Sequence, residues 1–237
     1  MGANVMLKLI HLEWKKNNLS HYLKGVFICM VAIYAAVVLM TWGTQGESEP
    51  MDYAEFMSLT DILIRITFII FASVILSRLV IEEYKSKMIQ VLFTYPQQRK
   101  KMMQAKLLIV YAFCFFNILV TTLMINLLTY FLSPILGLFD APVRLDEMAA
   151  TLPSTLLNAF MIAGISLIPL IFGMRKKSTA STITSAVIIG FLVNATVSDG
   201  GSSSSLFQFI AIPIILCLLG LLLGYLSFYK IDHNDVA

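Results

Sequence analysis

Apolar residues in this chain are gathered into long continuous runs, and polar residues stand between the runs rather than alternating with apolar ones. A helix needs about 20 apolar residues to cross a bilayer, and continuous runs argue against strands. The runs that meet this length cover residues 25–42, 62–80, 107–132, 153–173, 180–197 and 206–229. The pattern therefore predicts an all-α, polytopic integral membrane protein, with six transmembrane helices in a single transmembrane domain over residues 1–237.

The composition agrees with a protein surrounded by lipid. Apolar residues make up 58% of the chain and charged residues 13%, whereas a soluble domain carries about 25% charged residues. The basic residues stand at the ends of apolar runs, so nucleic-acid binding is not expected. Each of the three cysteines lies inside an apolar run without C-x-x-C spacing, which predicts neither a metal site nor a disulfide.

The basic residues also predict an orientation. All of the 17 Lys and Arg residues except Arg65 and Arg144 fall before the first run, between the end of the second (where Arg78 stands) and the start of the third, between the fourth and fifth, or after the sixth. Such loops face the cytoplasm, and the acidic residues are concentrated in the opposite loops. We therefore expect a cell-membrane protein with both termini cytoplasmic.

Prolines and glycines mark places where the predicted helices are expected to break or approach each other. Pro169 and Pro213 lie inside the fourth and sixth runs and predict kinks or breaks. Gly220 and Gly224 form a G-x-x-x-G pattern, which lets helices pack closely, and packing within the chain is favoured over packing between copies. The Gly- and Ser-rich stretch 199–205 is expected to form a short flexible turn.

The residues before the first run form a distinct, amphipathic segment. Lys8, His11 and Lys15 recur at helical spacing on one side, and Trp14 suits the headgroup level. The segment is thus predicted to be an N-terminal amphipathic helix at the inner interface. It would act either as an elbow that moves together with the first span or as a plain surface anchor.

Several catalytic patterns are absent from the sequence. It contains no phosphate-binding G-x-x-x-x-G-K-[ST] loop, no H-E-x-x-H motif and no G-x-S-x-G motif. No Asp or Glu lies deep inside an apolar run, although proton relays usually use one. The chain is therefore predicted to be no enzyme and to bind no cofactor itself, and a proton-coupled carrier is disfavoured.

The loop 81–106 is long enough to be structured. Residues 85–94 suit a short helix with Met88, Val91 and Leu92 on one face, and Pro96 suits the first turn of the next helix. The result is a helix–break–helix with an apolar knob. Such a knob would dock in a groove of a soluble partner or lie on lipid.

The loop carries Glu83, Lys87, Leu92, Pro96, Arg99 and Lys106, at spacings that resemble those of the coupling-helix region in permease subunits of type-2 ATP-binding-cassette (ABC) exporters. Met88 stands where the family commonly has Thr, and Phe93 where it has a second Leu. The six-span layout and the basic N-terminal stretch also resemble small bacterial permeases for peptide or bacteriocin export or immunity.

The resemblance implies partners and site residues. Two such permeases, as a homodimer or with a paralogue, would bind two separate ATPase subunits, which would hold ATP and Mg²⁺. The coupling helix between the second and third spans would bind the ATPase, and the cargo would be an amphipathic peptide or a hydrophobic toxic compound. The implied coupling residues are Glu82, Glu83, Met88, Val91, Leu92, Phe93, Pro96 and Arg99.

Polar residues inside the spans are candidates for a substrate path or for bonds between helices. Arg65 follows Asp61 by four residues, so the two face each other on a helix. They form either a simple ion pair or part of a polar outer vestibule. The path candidates are Asn117, Thr121, Asn126, Asn158, Thr184 and Asn194.

The sequence is also compatible with two other function classes. One is a membrane scaffold or sensor that recruits a soluble partner through its basic loop. The other is a secondary carrier driven by an ion gradient.

Overall fold

The structure, a computed structural model, describes residues 19–44, 52–81, 99–139, 145–176, 178–199, 202–205 and 211–229. The α-helices within these ranges are α1 (Leu19–Thr44), α2 (Tyr53–Leu76), α3 (Arg99–Leu136), α4 (Leu145–Ile165), α5 (Pro169–Lys176), α6 (Thr179–Val193) and α7 (Ala211–Tyr229). A π-helix, Ser77–Ile81, continues α2 directly.

The helices follow the predicted spans, with differences in length. Four segments are long and apolar enough to cross a membrane, namely Tyr22–Thr44, Tyr53–Ile81, Met102–Leu136 and Thr151–Lys176. These confirm the first four spans as helical. The fifth and sixth are helical too, but Thr179–Val193 and Ala211–Leu226 are shorter.

The helices begin and end where backbone groups find partners. Asp52 caps α2 by accepting a 2.7 Å hydrogen bond from the Tyr53 amide, so α2 begins well before residue 62. The helix α3 ends before Gly137, which has a φ of 60°. The Leu138 amide then bonds to the Ser133 carbonyl at 3.3 Å, which closes the helix end.

The fourth span is broken, as Pro169 predicted. The helix α4 ends at Ile165, and α5 begins at Pro169. The amides of Leu167 and Ile168 bond three residues back at 3.2 and 3.0 Å, which tightens the turn between them. Pro213 instead lies in the first turn of α7, where its missing N–H is tolerated, so it kinks no helix interior.

The expectation of a flexible turn at 199–205 is wrong. Strands β1 (Thr196–Asp199) and β2 (Ser202–Ser205) pair antiparallel, with Thr196 opposite Ser205. Thr196 and Val197 are β-branched and favour extended backbone, and the Asp-Gly-Gly-Ser sequence favours a two-residue hairpin turn. Within the described residues this hairpin is the only β-structure, and the helix of the fifth span ends at Val193.

The core of the bundle is built around α2. This helix packs against α1, α3 and α6, while α4 packs against α3 and α7. Phe56, Phe68 and Ile69 of α2 are fully buried, whereas Phe116 and Ile135 of α3 are exposed. Apolar side chains of this size on so many outward faces are what a lipid environment requires.

The G-x-x-x-G pattern packs within the chain, as predicted. A Cβ on Gly220 would collide with the carbonyl oxygen of Gly164, and a Cβ on Gly164 would collide with the Cys217 side chain. The backbones of α4 and α7 therefore touch where both residues are glycine. Gly224 lies near Leu167 without such a collision.

Candidate functional site

Most predicted coupling residues lie outside the described residues. They are Glu82, Glu83, Met88, Val91, Leu92, Phe93 and Pro96. The predicted N-terminal amphipathic helix also lies outside them. Arg99 is the first residue of α3. The structure thus describes the two ends from which the 82–98 segment emerges, and these ends form a connected site.

The first end is the π-helix Ser77–Ile81, which we call the α2 base. The Ser77 amide donates to the carbonyls of Ser73 and Val74, and its hydroxyl bonds to the Val74 carbonyl at 3.2 Å. Serine hydroxyls that bond back to the preceding turn bend helices, and π-helical turns often occur at functional sites. Leu79, Val80 and Ile81 are buried, so the α2 base is packed into the bundle.

The second end contributes a buried lysine. Lys106 of α3 is only 3% exposed, and its Nζ donates a 2.9 Å hydrogen bond to the carbonyl oxygen of Leu79. A buried ammonium is costly unless it is hydrogen-bonded, and the Leu79 carbonyl supplies such a bond. Sequence analysis placed Lys106 only in the family pattern. The sequence feature that marks this residue is its position directly before the apolar run 107–132.

Other helices also meet the α2 base. The Arg78 guanidinium lies 5.9 Å from the centre of the Tyr22 ring of α1, within cation–π range. A Cβ on Gly173 of α5 would lie 2.7 Å from the Ile81 side chain and would collide with Thr182 of α6. The α2 base is therefore in contact with α1, α3, α5 and α6.

The path candidates on α3 are turned into the bundle. Asn117, Thr121 and Asn126 are all buried. The Tyr53 hydroxyl donates to the Asn126 carboxamide oxygen at 2.8 Å, which joins α2 to α3, and the Asn117 amide group donates to the Phe113 carbonyl at 2.6 Å. These bonds engage the carboxamides of Asn117 and Asn126, whereas the buried Thr121 hydroxyl has no hydrogen-bond partner among the described residues.

The remaining path candidates lie apart from that group. Thr184 is exposed and bonds within α6 to the Ala180 carbonyl at 3.0 Å. Asn158 is half-buried on α4, and Asn194 is half-buried at the end of α6. The structure therefore does not gather all the path candidates onto one helix face.

Arg65 links α2 to the end of α6. Its Nη2 lies 4.0 Å from Asp61 Oδ2, which confirms the predicted ion pair. Its Nη1 also donates to the Asn194 carboxamide oxygen at 3.5 Å, a contact that sequence analysis missed. The Arg65 side chain is 11% exposed and that of Asp61 is 32% exposed, so Arg65 joins α2 to the end of α6 at a partly open position.

A groove of about 540 Å³ runs between α3, α4 and α7. Its volume falls within the about 300–1,000 Å³ of small-molecule sites, and its walls are almost entirely apolar. A hydrocarbon chain would therefore pack favourably against these walls. The residues that line it are Gln104, Leu107, Leu108, Tyr111, Phe160, Leu167, Leu221, Gly224 and Tyr225.

Titratable groups do not assemble a metal site in the part of the chain that the structure describes. No group of three or more His, Cys, Asp or Glu side chains is close enough there to hold an ion.

Comparison with known proteins identifies relatives of this bundle. Residues 9–194 match the family described as ABC-2 family transporter protein. The chain is 32% identical over 231 residues to a Bacillus subtilis (strain 168) protein described as uncharacterized protein YcbO, covering 97% of this chain and 100% of that protein. No solved structure matches the chain. With this family match over more than half its length, the chain belongs to the ABC-2 family of transporter membrane proteins.

Proposed function

We propose that this chain is the membrane-spanning permease subunit of an ABC exporter. It would move an amphipathic peptide or a hydrophobic toxic compound out of the cell, using ATP hydrolysed by a separate ATPase. The observation that carries the proposal is the ABC-2 family match over residues 9–194. The apolar bundle with exposed hydrophobic faces is consistent with it.

The ATPase subunits would bind the 82–98 segment. Met88, Val91, Leu92 and Phe93 would form the docking surface, because an apolar knob fits a groove on a soluble protein. The charged coupling residues would pair with charges of the partner, and Pro96 would start the helix that leads into α3. These charged residues are Glu82, Glu83 and Arg99.

Two permeases and two ATPases would make the working unit. The second permease would be another copy of this chain or a paralogue, and the ATPases would hold ATP and Mg²⁺. The basic loops would face the cytoplasm of a bacterial cell, where ATP is available. The apolar groove between α3, α4 and α7 favours a cargo with a hydrocarbon portion.

Co-purification and coupling test this proposal together. The tagged chain is purified from native membranes, and the bound proteins are identified. We expect a P-loop ATPase whose ATP turnover changes when it is reconstituted with the permease. Leu92→Ala should remove that change while leaving the permease folded, because it truncates the centre of the docking surface.

Gln97→Ala is the matched control, since it truncates a polar side chain in the same segment. It should behave like the wild type. Active transport without any ATPase would support an ion-coupled carrier instead. Recruitment of a soluble protein without a nucleotide site would support the scaffold or sensor.

A further inference from the structure

We propose that Lys106 is a positioning residue that latches the α2 base to α3, so that movement of the 82–98 segment passes into α2, α3 and α5 together. The proposal rests on the proposed function, in which an ATPase binds that segment. It adds a residue outside the coupling loop and a specific bond through which the movement is transmitted.

The latch joins the two chain ends that carry the segment. Leu79 lies two residues before Ile81, the last residue of the α2 base. Lys106 lies seven residues after the start of α3, or about 10 Å along the helix axis at 1.5 Å per residue. The 2.9 Å bond from Lys106 Nζ to the Leu79 carbonyl therefore ties both ends together inside the bundle.

The chemistry of the position favours a role for the charge. Lys106 is only 3% exposed, and its neighbours Met103, Ala105 and Leu107 along α3 are buried as well, so the ammonium is placed where desolvating it is costly. A hydrogen bond between a charged donor and a carbonyl oxygen is stronger than one between neutral groups, and Lys106 makes such a bond to the Leu79 carbonyl. The ammonium therefore holds the α2 base in a way that an apolar residue cannot.

The surroundings of the latch make the α2 base move as one body. Leu79 and Ile81 are essentially fully buried, and close-packed interiors transmit displacement rather than absorb it. Gly173 of α5 lets Ile81 approach so closely that a side chain there would collide. A displacement of the α2 base must therefore move α5, and the Lys106 bond makes α3 follow.

Hydrogen–deuterium exchange of the permease with its co-purified ATPase tests the latch. The complex is compared with and without nucleotide trapped by ATP and vanadate. In the wild type, trapping should change exchange in the α2 base, in α5 and in residues 102–110 of α3. In Lys106→Met, which keeps a side chain of similar length but loses the donor, the change in α3 should be largely lost.

Two further variants make the result specific. Lys176→Met removes an exposed lysine at the end of α5 and should behave like the wild type. Lys106→Arg keeps a charged donor and should restore most of the change. If Lys106→Met does not fold, Lys106→Gln is compared with Lys106→Arg, and the uncharged variant should again lose the α3 response.

The possible outcomes separate the two proposals. If no ATPase co-purifies, or trapping changes nothing in the wild type, the proposed function fails and the latch fails with it. If the wild type responds and Lys106→Met or Lys106→Gln responds equally in α3, the latch alone is wrong. Loss of the response in these variants, with recovery in Lys106→Arg, supports it.

Discussion

At the scale of single residues, the polar groups inside the bundle are used to join helices. Arg65 reaches both Asp61 on its own helix and Asn194 on α6, and the Tyr53 hydroxyl bonds to Asn126. Hydrogen bonds between membrane helices contribute about 0.6 kcal/mol on average and up to about 1.7 kcal/mol. These residues therefore stabilise one arrangement of α2 relative to α3 and α6.

A double-mutant cycle measures the bond between Tyr53 and Asn126. Each of Tyr53→Phe and Asn126→Ala should lower the free energy of unfolding in detergent or bicelles, by about 0.6–1.7 kcal/mol for the bond itself. The two effects should not add, because both variants remove the same bond. Fully additive effects would show that the bond contributes nothing to stability.

Arg65→Leu tests the link between α2 and α6. Hydrogen bonds to charged groups contribute about 1.5–3 kcal/mol, so the unfolding free energy should fall by about that amount or less, since Asp61 is partly exposed. Asn194→Ala should have a smaller effect, because its bond to Arg65 is long at 3.5 Å. An Arg65→Leu protein as stable as the wild type would contradict this assignment.

At the scale of elements, α4 and α7 depend on two glycines for their contact. Gly164 and Gly220 bring the two backbones together, and in lipid such close packing replaces the hydrophobic effect as the force between helices. The break at Pro169 also matters, because it separates α4, which packs on α7, from α5, which packs on the α2 base.

Gly220→Ala should destabilise the bundle. The added methyl collides with the Gly164 backbone, and overpacking of this kind costs about 1–3 kcal/mol. Gly43→Ala is the control, because a Cβ there has no neighbour within 4 Å and alanine favours a helix over glycine. Thermal unfolding in detergent should show a lower midpoint for the first variant and an unchanged or higher one for the second.

At the scale of the whole molecule, the distribution of charge predicts how the bundle is oriented. The 82–98 segment and both termini are expected on the cytoplasmic side, and the β1–β2 hairpin on the outer side. Because all three native cysteines lie within the helices α1, α3 and α7, a new surface cysteine reports its own side with little background.

Cysteine labelling in intact cells tests the orientation. Ser203→Cys, in β2, should react with a membrane-impermeant maleimide, whereas Ser86→Cys should react only after the cells are opened. The unmodified chain serves as the background control. The reverse pattern would place the coupling residues outside the cell and remove the basis for an ATPase partner.

The sequence by itself determined the features that depend on local composition. Transfer of an apolar run into lipid depends on the residues of that run alone, so the helical spans were predicted. The break at Pro169 follows from the geometry of proline, and the Asp61–Arg65 pair follows from the four-residue spacing on a helix. Helix ends were predicted less well, because caps such as Asp52 extend a helix beyond its apolar stretch. The hairpin was missed because its strands are short and rich in serine.

Only the tertiary structure decided which distant residues meet. The bond from Lys106 to Leu79, the Tyr53–Asn126 pair, the Gly164–Gly220 contact and the groove between α3, α4 and α7 all join elements far apart in the chain. No periodicity records these contacts, because helix packing in lipid is set by side-chain shape and by the polar groups that happen to face each other.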